Sequence, residues 1–305
     1  MSSQRPSFRV ATYNIHKGVL NDLFGLRRVS VIHELRDRLH DLDADLIFLQ
    51  EVQGHNKRHE RRFDRWPQEP QDVFLSRSPE LAHVFETAYG NNANYLHGHH
   101  GNALLSRFPI LHQENRDVSD HVLERRGVLH CVVRVDDVPV HCFVVHFGLL
   151  ARSRTRQLDA LIDWVRSSVP DDAPLIIGGD FNDWQNRLSG RICRSLNSVE
   201  VFDNFRPPYR RMKQVARYMT DQLGMPEVEI DKPLWQSERR VKSARTFPSL
   251  VPWFRMDRLY VRGFDVIDAD VLRGAHWAKL SDHSPLVADL AAAKTVAASR
   301  RDDTK

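Results

Sequence analysis

Apolar and polar residues alternate along this chain in segments whose period switches between that of a strand and that of a helix. The segment "FRVATYNI" predicts a strand that ends in polar residues. The segment "RRVSVIHELRDRLHDLD" then has apolar residues at helical spacing, Ile32, Leu35, Leu39 and Leu42. A short buried strand, "ADLIFLQE", follows and again turns polar at its end. The chain therefore opens in the order strand, helix, strand.

Later segments keep the same mixture of periods. "NALLSRFPIL" predicts a strand stopped by Pro109, and "VLHCVVRV" with "VPVHCFVVHF" predicts a hairpin in which Cys131 and Cys142 face each other. "RTRQLDALIDWVRSSV" predicts a helix before the strand "PLIIGGD", and "MDRLYVRG", "FDVIDADVLR" and "PLVADL" predict the last strands. Hairpins combined with crossovers indicate mixed sheets covered by helices rather than an all-parallel sheet.

Two segments interrupt the pattern. "GHNKRHERRFDRWPQEPQD" predicts a charged loop, and residues 205–245 predict an insertion with one helix near "RRMKQVARYMTDQL". Neither has the apolar content of a second domain. We therefore expect residues 1–305 to form a single domain with its core at 8–290 and a flexible tail at 291–305.

Composition narrows the class of protein only slightly. An apolar content of 41% over 305 residues supports a sizeable core, and a net charge of +4 weakly favours anionic partners. The three cysteines match no metal spacing and argue against a disulfide framework. No segment approaches the ~20 apolar residues of a membrane span, and "MSSQRPSF" lacks an apolar leader. A cytoplasmic location is expected, and peripheral membrane contact stays open.

Residues that can bind a metal ion, transfer a proton or contact a phosphate recur where the apolar strands end. They are Asn14, Glu51, His146, Asp180, Asn182, Asp257, Asp282 and His283. A single polar residue at a strand end is ordinarily just solvated. A whole set indicates a site, because ligands gather beyond the strand ends of sheet-based folds, and glycines such as Gly178 and Gly179 allow close backbone approach.

The motifs "TYNIHKG", "LQEV", "GNALLSRFPI", "VHFG", "GGDFND", "RMDRLY" and "LSDHSPL", in that order, resemble the endonuclease/exonuclease/phosphatase superfamily. That superfamily includes DNase I, AP endonucleases, neutral sphingomyelinases and inositol polyphosphate 5-phosphatases, and the "YNIHKGV" segment looks most like a bacterial subgroup. The resemblance runs from about Phe8 to Leu290. It implies an α/β fold, a four-layer α/β sandwich in which two mixed β-sheets pack face to face with helices on the outside and one active site at an edge.

The resemblance also implies roles that suit phosphodiester hydrolysis, which requires neutralised phosphate charge, an oriented water and a stabilised leaving group. Glu51 is the principal ligand of Mg²⁺ or Mn²⁺, and Asn14 and Asp282 complete this metal environment or a second one nearby. Asp180 activates the attacking water with help from Asn182. The scissile phosphate is contacted by His283, whose imidazole Asp257 orients, and His146 protonates the leaving group or contacts phosphate.

The sequence indicates the residues that contact substrate less specifically than the catalytic and metal-binding ones. His16 stands where AP endonucleases carry an acidic residue, which weakens an abasic-site function and leaves His16 as a phosphate contact or a loop residue. Asn102 belongs to a family motif, and Arg156 either reaches a phosphate or is solvated. The histidines of "LHGHHGN" are expected in an exposed loop, and Trp184, Trp253, Phe254 and Trp277 suit base stacking, a lipid interface or packing between loops.

The sequence thus predicts a metal-dependent phosphodiesterase that acts by in-line attack of water on nucleic acid or a phospholipid headgroup. A sphingomyelinase-like or inositol-phosphate hydrolase and a non-catalytic phosphate-binding module remain as alternatives.

Overall fold

Two six-stranded sheets form the middle of the protein. The computed structural model describes residues 7–21, 27–78, 85–122, 124–204 and 244–293. The first sheet has the strand order β13, β14, β1, β4, β6, β5. Its strands are β1 (Ser7–Asn14), β4 (Leu46–Asn56), β5 (Glu86–Tyr95), β6 (Gly98–Ser106), β13 (Phe264–Val271) and β14 (Leu286–Ala292).

The second sheet has the strand order β11, β12, β10, β9, β8, β7. Its strands are β7 (Ile110–Asp117), β8 (Gly127–Val135), β9 (Val138–His146), β10 (Leu175–Asp180), β11 (Val199–Glu200) and β12 (Asp257–Arg262). A separate two-stranded ribbon pairs β2 (Val19–Asn21) with β3 (Arg28–Ser30). The pairs β1–β4 and β9–β10 are parallel and the others antiparallel, so both sheets are mixed, as the sequence predicts.

The helices lie between and after the strands. They are α1 (Ile32–Asp41), α2 (Lys57–Arg62), α3 (Gln71–Ser76), α4 (Ala151–Ser168), α5 (Ser189–Leu196), α6 (Val201–Asn204) and α7 (Ala275–Ala278), and a 3-10 turn spans His16–Gly18. None of the helices in the described parts of the chain combines the length and apolar character of a membrane span.

Three buried clusters show how the layers stack. The central cluster joins the facing sides of the two sheets, with Val10 and Phe48 from the first packed with Val144 and Ile176 from the second. A second cluster packs α1 onto the outer face of the first sheet, and a third packs α4 and α5 onto the outer face of the second. The predicted sandwich, with two mixed sheets face to face and helices outside, is confirmed.

Two local expectations are wrong. The charged segment after Glu51 is not a continuous loop, because β4 extends to Asn56, whose side chain accepts hydrogen bonds from Arg58 N and His59 N at 3.1 Å and begins α2. His99 and His100 are half-buried members of β6 rather than parts of an exposed loop. The helix predicted near "RRMKQVARYMTDQL" lies outside the described residues. Of the tail predicted at 291–305, residues 291–292 are the end of β14, and those beyond 293 lie outside the described residues.

Candidate active site

The candidate site lies at one edge of the sandwich, where the side chains directed between the sheets change from apolar to polar. Successive residues of a strand point to opposite faces, so Ile176, Gly178 and Asp180 share the inner face of β10. By the same period, Asn14 follows Val10 on β1 and His146 follows Val144 on β9. The polar residues therefore extend the rows of core residues and stay buried at the seam between the sheets.

Strand pairing sets three of these residues side by side in the second sheet. Asp180 is opposite His146 in the parallel β9–β10 pair and opposite Asp257 in the antiparallel β10–β12 pair. Across the seam, Asn14 Nδ2 of the first sheet donates a hydrogen bond to Asp180 Oδ2 at 3.1 Å. Asp180 Oδ1 accepts from the backbone N of Asn182 at 2.9 Å, which leaves the carboxylate held from two sides.

His283 enters this group from the loop before β14. Its Nδ1 lies 2.8 Å from Asp257 Oδ2 and its Nε2 lies 3.7 Å from Asp180 Oδ2. Ser281 fixes the loop, because its hydroxyl donates to the carbonyl of Asn14 at 2.6 Å and accepts from the backbone N of His283 at 3.2 Å. The loop is thus attached directly to the end of β1.

Burial and charge act in opposite directions on His283. Burial disfavours the charged ring, but the carboxylates of Asp257 and Asp180 overcome it and raise the pKa of His283 to about 10. The ring is therefore an imidazolium at neutral pH. Burial raises the pKa of Asp180 to about 6, and the charge of His283 limits the rise. The site thus holds a permanent cation beside a carboxylate with unusual basicity.

His146 is the neutral member of the group. Its Nε2 lies 3.6 Å from Asp180 Oδ2. Burial, followed by the guanidinium of Arg126, lowers the pKa of His146 well below its usual range. A neutral imidazole can exchange hydrogen bonds with phosphate or water, but it carries no ready proton for a leaving group.

An irregularity in β4 sets the direction of the Glu51 side chain. The pairing of β4 with β6 shifts register between Leu49 and Val52, and Glu51 has a φ of 58° in the left-handed region. Its carboxylate lies 2.9 Å from the ammonium of Lys17. Burial opposes ionisation of Glu51, but the ammonium of Lys17, helped by His16, holds its pKa well below the usual range.

A similar pair lies beside it. His16 Nδ1 is 3.2 Å from Asp282 Oδ1. The hydrogen bond to Asp282 raises the pKa of His16, although burial opposes the rise. Burial acts to raise the pKa of Asp282, but His16 and the charge of His283 lower it. Each carboxylate that the sequence predicts as a metal ligand is thus paired with a basic side chain from the turn His16–Gly18.

Two groups of side chains are chemically able to hold a divalent metal ion. Asp180, Asp257 and His283 form the one group of three His, Cys, Asp or Glu side chains in the described ranges whose ligand atoms lie within 4.8 Å of one another. Its imidazole must lose a proton before it can bind a metal. Glu51 offers hard oxygens, and its buried Oε2 accepts no hydrogen bond of normal geometry from the described residues, although the Lys17 ammonium lies 2.9 Å away. Glu51 could therefore hold a hard divalent ion.

The remaining predicted residues have other surroundings. Asn182 donates from Nδ2 to the carbonyl of Phe147 at 2.9 Å, so it ties the end of β10 to the end of β9. Asn102 lies on the inner face of β6 and donates to the carbonyls of Gly127 and Val144 at 2.9 and 3.1 Å. Arg156 is on the exposed side of α4, where its guanidinium pairs with Asp120. None of its contacts in the described chain is to another predicted site residue.

Sequence reasoning missed Lys17 and Ser281. Both lie inside the motifs "TYNIHKG" and "LSDHSPL", but their residue types gave no reason to separate them from their neighbours. Lys17 reaches Glu51 because His16 and Lys17 both adopt left-handed φ values, 45° and 62°, which reverse the chain after β1. A periodicity of two or 3.6 carries no signal for such a turn.

Known proteins resemble this chain in sequence and in fold. A profile of the Endonuclease/Exonuclease/phosphatase family matches residues 11–283. The chain belongs to this family. The protein YbhP of Escherichia coli (strain K12) is 36% identical over 290 residues, which are 94% of this chain and 98% of YbhP. The family resemblance inferred from the motifs is confirmed, and members of the endonuclease/exonuclease/phosphatase family act on phosphoester bonds, typically with a divalent metal ion.

Solved structures share the fold across nearly the whole chain. An endonuclease/exonuclease/phosphatase from Beutenbergia cavernae DSM 12333 superposes with a TM-score of 0.63 at 20% identity, covering 95% of this chain and 72% of that one. The mannosyl-6-phosphatase Bt3783 of Bacteroides thetaiotaomicron VPI-5482 gives a TM-score of 0.60 at 16% identity, covering 93% of this chain and 99% of that one. At such identities the likeness is one of fold.

Proposed function

We propose that this chain is a divalent-metal-dependent phosphoesterase that hydrolyses a phosphodiester by direct, in-line attack of water. One observation carries the proposal: His283 contacts both Asp257, at 2.8 Å, and Asp180, at 3.7 Å. A fixed imidazolium beside a carboxylate of raised pKa supplies a cation for phosphate and a proton acceptor for water within one small site.

Asp180 acts on the attacking water in this proposal. Hydrogen bonds from Asn14 Nδ2 and Asn182 N fix its two oxygens, at 3.1 and 2.9 Å, so its orientation is set before substrate binds. With a pKa of about 6, Asp180 is ionised at pH 7 to 8 and keeps more basicity than an ordinary aspartate. Asn182 contributes by positioning Asp180 and the end of β9.

The two histidines divide the phosphate contacts. His283 donates from Nε2 to a phosphate oxygen, and Asp257 on Nδ1 keeps the ring charged and oriented. His146 serves as a neutral hydrogen-bonding partner of the phosphate or the water, because its lowered pKa makes protonation of a leaving group unfavourable. Of the two roles that the sequence left open for His146, phosphate contact is thus the better supported.

Glu51, with Asn14 and Asp282, would hold the Mg²⁺ or Mn²⁺ ion. When bound, such an ion neutralises phosphate charge and stabilises the departing alkoxide. The support for Glu51 is its hard-oxygen chemistry, its backbone conformation and a buried Oε2 that lies 2.9 Å from the Lys17 ammonium.

A phospholipid headgroup is the substrate candidate favoured by a specific observation. Exposed apolar side chains follow or precede the same strand ends that carry His146, Asp180 and Asp257. They are Leu149, Leu150, Trp184, Leu250, Val251 and Trp253, with Leu250 77% and Trp253 67% exposed. Exposed apolar side chains close along the chain to these strand ends suit a lipid interface, although exposed tryptophans also stack on unpaired bases. Phosphomonoesters are included as alternative substrates in the experiment below.

The proposal is tested with purified protein and millimolar Mn²⁺ or Mg²⁺. Bis-p-nitrophenyl phosphate, plasmid DNA, RNA, phospholipid vesicles, inositol phosphates and sugar phosphates are offered in parallel, with Asp180→Asn as the blank. Turnover that is lost in the blank supports the assignment. Failure on every substrate, with phosphate still bound, would favour the non-catalytic module instead. A cytoplasmic location stays a prediction.

A further inference from the structure

The turn His16–Gly18 places the basic side chains of Lys17 and His16 beside the two carboxylates that are expected to bind metal. Lys17 Nζ lies 2.9 Å from Glu51 Oε2, and His16 Nδ1 lies 3.2 Å from Asp282 Oδ1. A divalent ion that binds Oε2 of Glu51 competes with Lys17 for this oxygen, because the ion and the ammonium repel each other. Lys17 then needs a second position.

The backbone of Lys17 is fixed, so only its side chain is able to move. Gln71 Nε2 donates to the carbonyl of Lys17 at 2.8 Å, and Gln71 Oε1 accepts from the backbone N of Gln53 at 2.8 Å. Gly18 donates to the carbonyl of Ile15 at 2.9 Å and accepts from Val31 at 3.0 Å. The turn is thus bound to β4 through a buried glutamine.

Gly18 tightens this attachment further. Its φ is +66°, and a Cβ at this position would come within 2.8 Å of Ile32 Cδ1.

The side chain of Lys17 is 35% exposed, whereas that of Glu51 is 17% exposed. A long flexible stem on a fixed backbone allows the ammonium to swing without any change in the turn.

We propose that Lys17 is a substrate-phosphate ligand that is held by Glu51 in the metal-free protein and transfers to the phosphate when a divalent ion takes Glu51. A phosphate bound to an ion on Glu51 would be a new anion within reach of Lys17, because the side chain of Lys17 already contacts Glu51. Lysine suits this exchange because its ammonium is a compact charge that does not require bidentate geometry. The inference rests on the proposed metal-dependent function and adds to it a second phosphate-binding cation beside His283.

Two calorimetric titrations test the exchange. Mn²⁺ is titrated into the protein without phosphate, and inorganic phosphate is then titrated into the Mn²⁺-saturated protein. Lys17→Met should bind Mn²⁺ as tightly as the wild type or several-fold more tightly, because a competing cation is gone. The same variant should bind phosphate at least about tenfold more weakly.

The matched control is Lys57→Met, which makes the same change at an exposed lysine of α2 and should leave both affinities unchanged. Lys17→Arg keeps the charge and should keep phosphate affinity within about threefold. Lys17→Gln replaces the methionine variant if circular dichroism shows that the latter does not fold.

Unchanged phosphate affinity in Lys17→Met would make Lys17 a mere counter-ion of Glu51 and would overturn the inference alone. Weaker Mn²⁺ binding in Lys17→Met would also overturn it, since Lys17 would then be needed to position Glu51. A wild-type protein that binds phosphate but no Mn²⁺ would contradict the proposed function as well.

Discussion

Asp257→Asn removes the charge that keeps His283 protonated while preserving the size of the side chain. The amide oxygen of asparagine can still accept the hydrogen bond from His283 Nδ1, which Asp257 accepts at 2.8 Å. Asp257 is fully buried, so its charge acts on the ring with little screening by water. In the variant, one of the charges that oppose the effect of burial on His283 is gone, so burial favours the neutral imidazole.

The expected size of the effect follows from the pKa of His283. The pKa is raised to about 10 from an ordinary 6.5, a difference of about 3.5, and at about 1.4 kcal/mol per pKa unit this is about 5 kcal/mol in favour of the charged ring. Asp180 and Asp282 supply part of it. We therefore expect the pKa of His283 to fall by at least about 2 in Asp257→Asn, which leaves the ring largely neutral at pH 9.

The free energy of unfolding should depend on the protonation of His283. A pKa that is higher in the folded than in the unfolded chain stabilises the fold fully below pH 6.5, and the contribution is lost as the pH rises through about 10. The difference in free energy of unfolding between wild type and Asp257→Asn should therefore shrink between these two pH values. Urea denaturation at several pH values measures it.

Ring ¹⁵N chemical shifts of His283 followed against pH by NMR give the pKa directly. Asp282→Asn is the control, because it removes a charge next to His283 whose influence on the ring is weaker than that of Asp257 or Asp180, and it should lower the pKa by less than about 1. On the proposed function, kcat/KM of Asp257→Asn should fall about 10²-fold to 10⁴-fold. A His283 ring that stays protonated above pH 9 in Asp257→Asn would refute the assignment of its charge to Asp257.

Three further outcomes are expected. Because Asp180 must be ionised to accept a proton, the rate of hydrolysis should fall as the pH drops through about 6. Asp180→Asn should remove the activity at every pH. A rate that does not change down to pH 4.5 would exclude Asp180 as the base. Glu51→Gln should weaken Mn²⁺ binding by at least about tenfold in calorimetry, and equal affinity would remove Glu51 from the metal site. Gly179→Ala should lower the free energy of unfolding by at least about 3 kcal/mol, because its Cβ would lie 1.9 Å from the carbonyl oxygen of Val145. Gly190→Ala, on the exposed side of α5, should be neutral or stabilise by up to about 1 kcal/mol, and equal effects of the two changes in urea denaturation would contradict this.

Much of the fold follows from local periodicity, because a strand with one buried face must alternate and a helix on a sheet must repeat every 3.6 residues. The sequence by itself determined the strands that carry Asn14, His146 and Asp180, and the hairpin in which Cys131 faces Cys142. The motif series also indicated the family, which the family profile confirms. The roles of the site residues stay predictions.

Tertiary structure alone decided which of these side chains meet. His283 contacts Asp180 and Asp257 only because β10 pairs with β12 and the loop before β14 is attached to β1 by Ser281. The ion pair of Lys17 with Glu51 depends on a left-handed turn in one segment and a bulge in another. Residue patterns report the face on which a side chain lies, whereas contacts between distant segments depend on strand order, register and the packing of one sheet on the other.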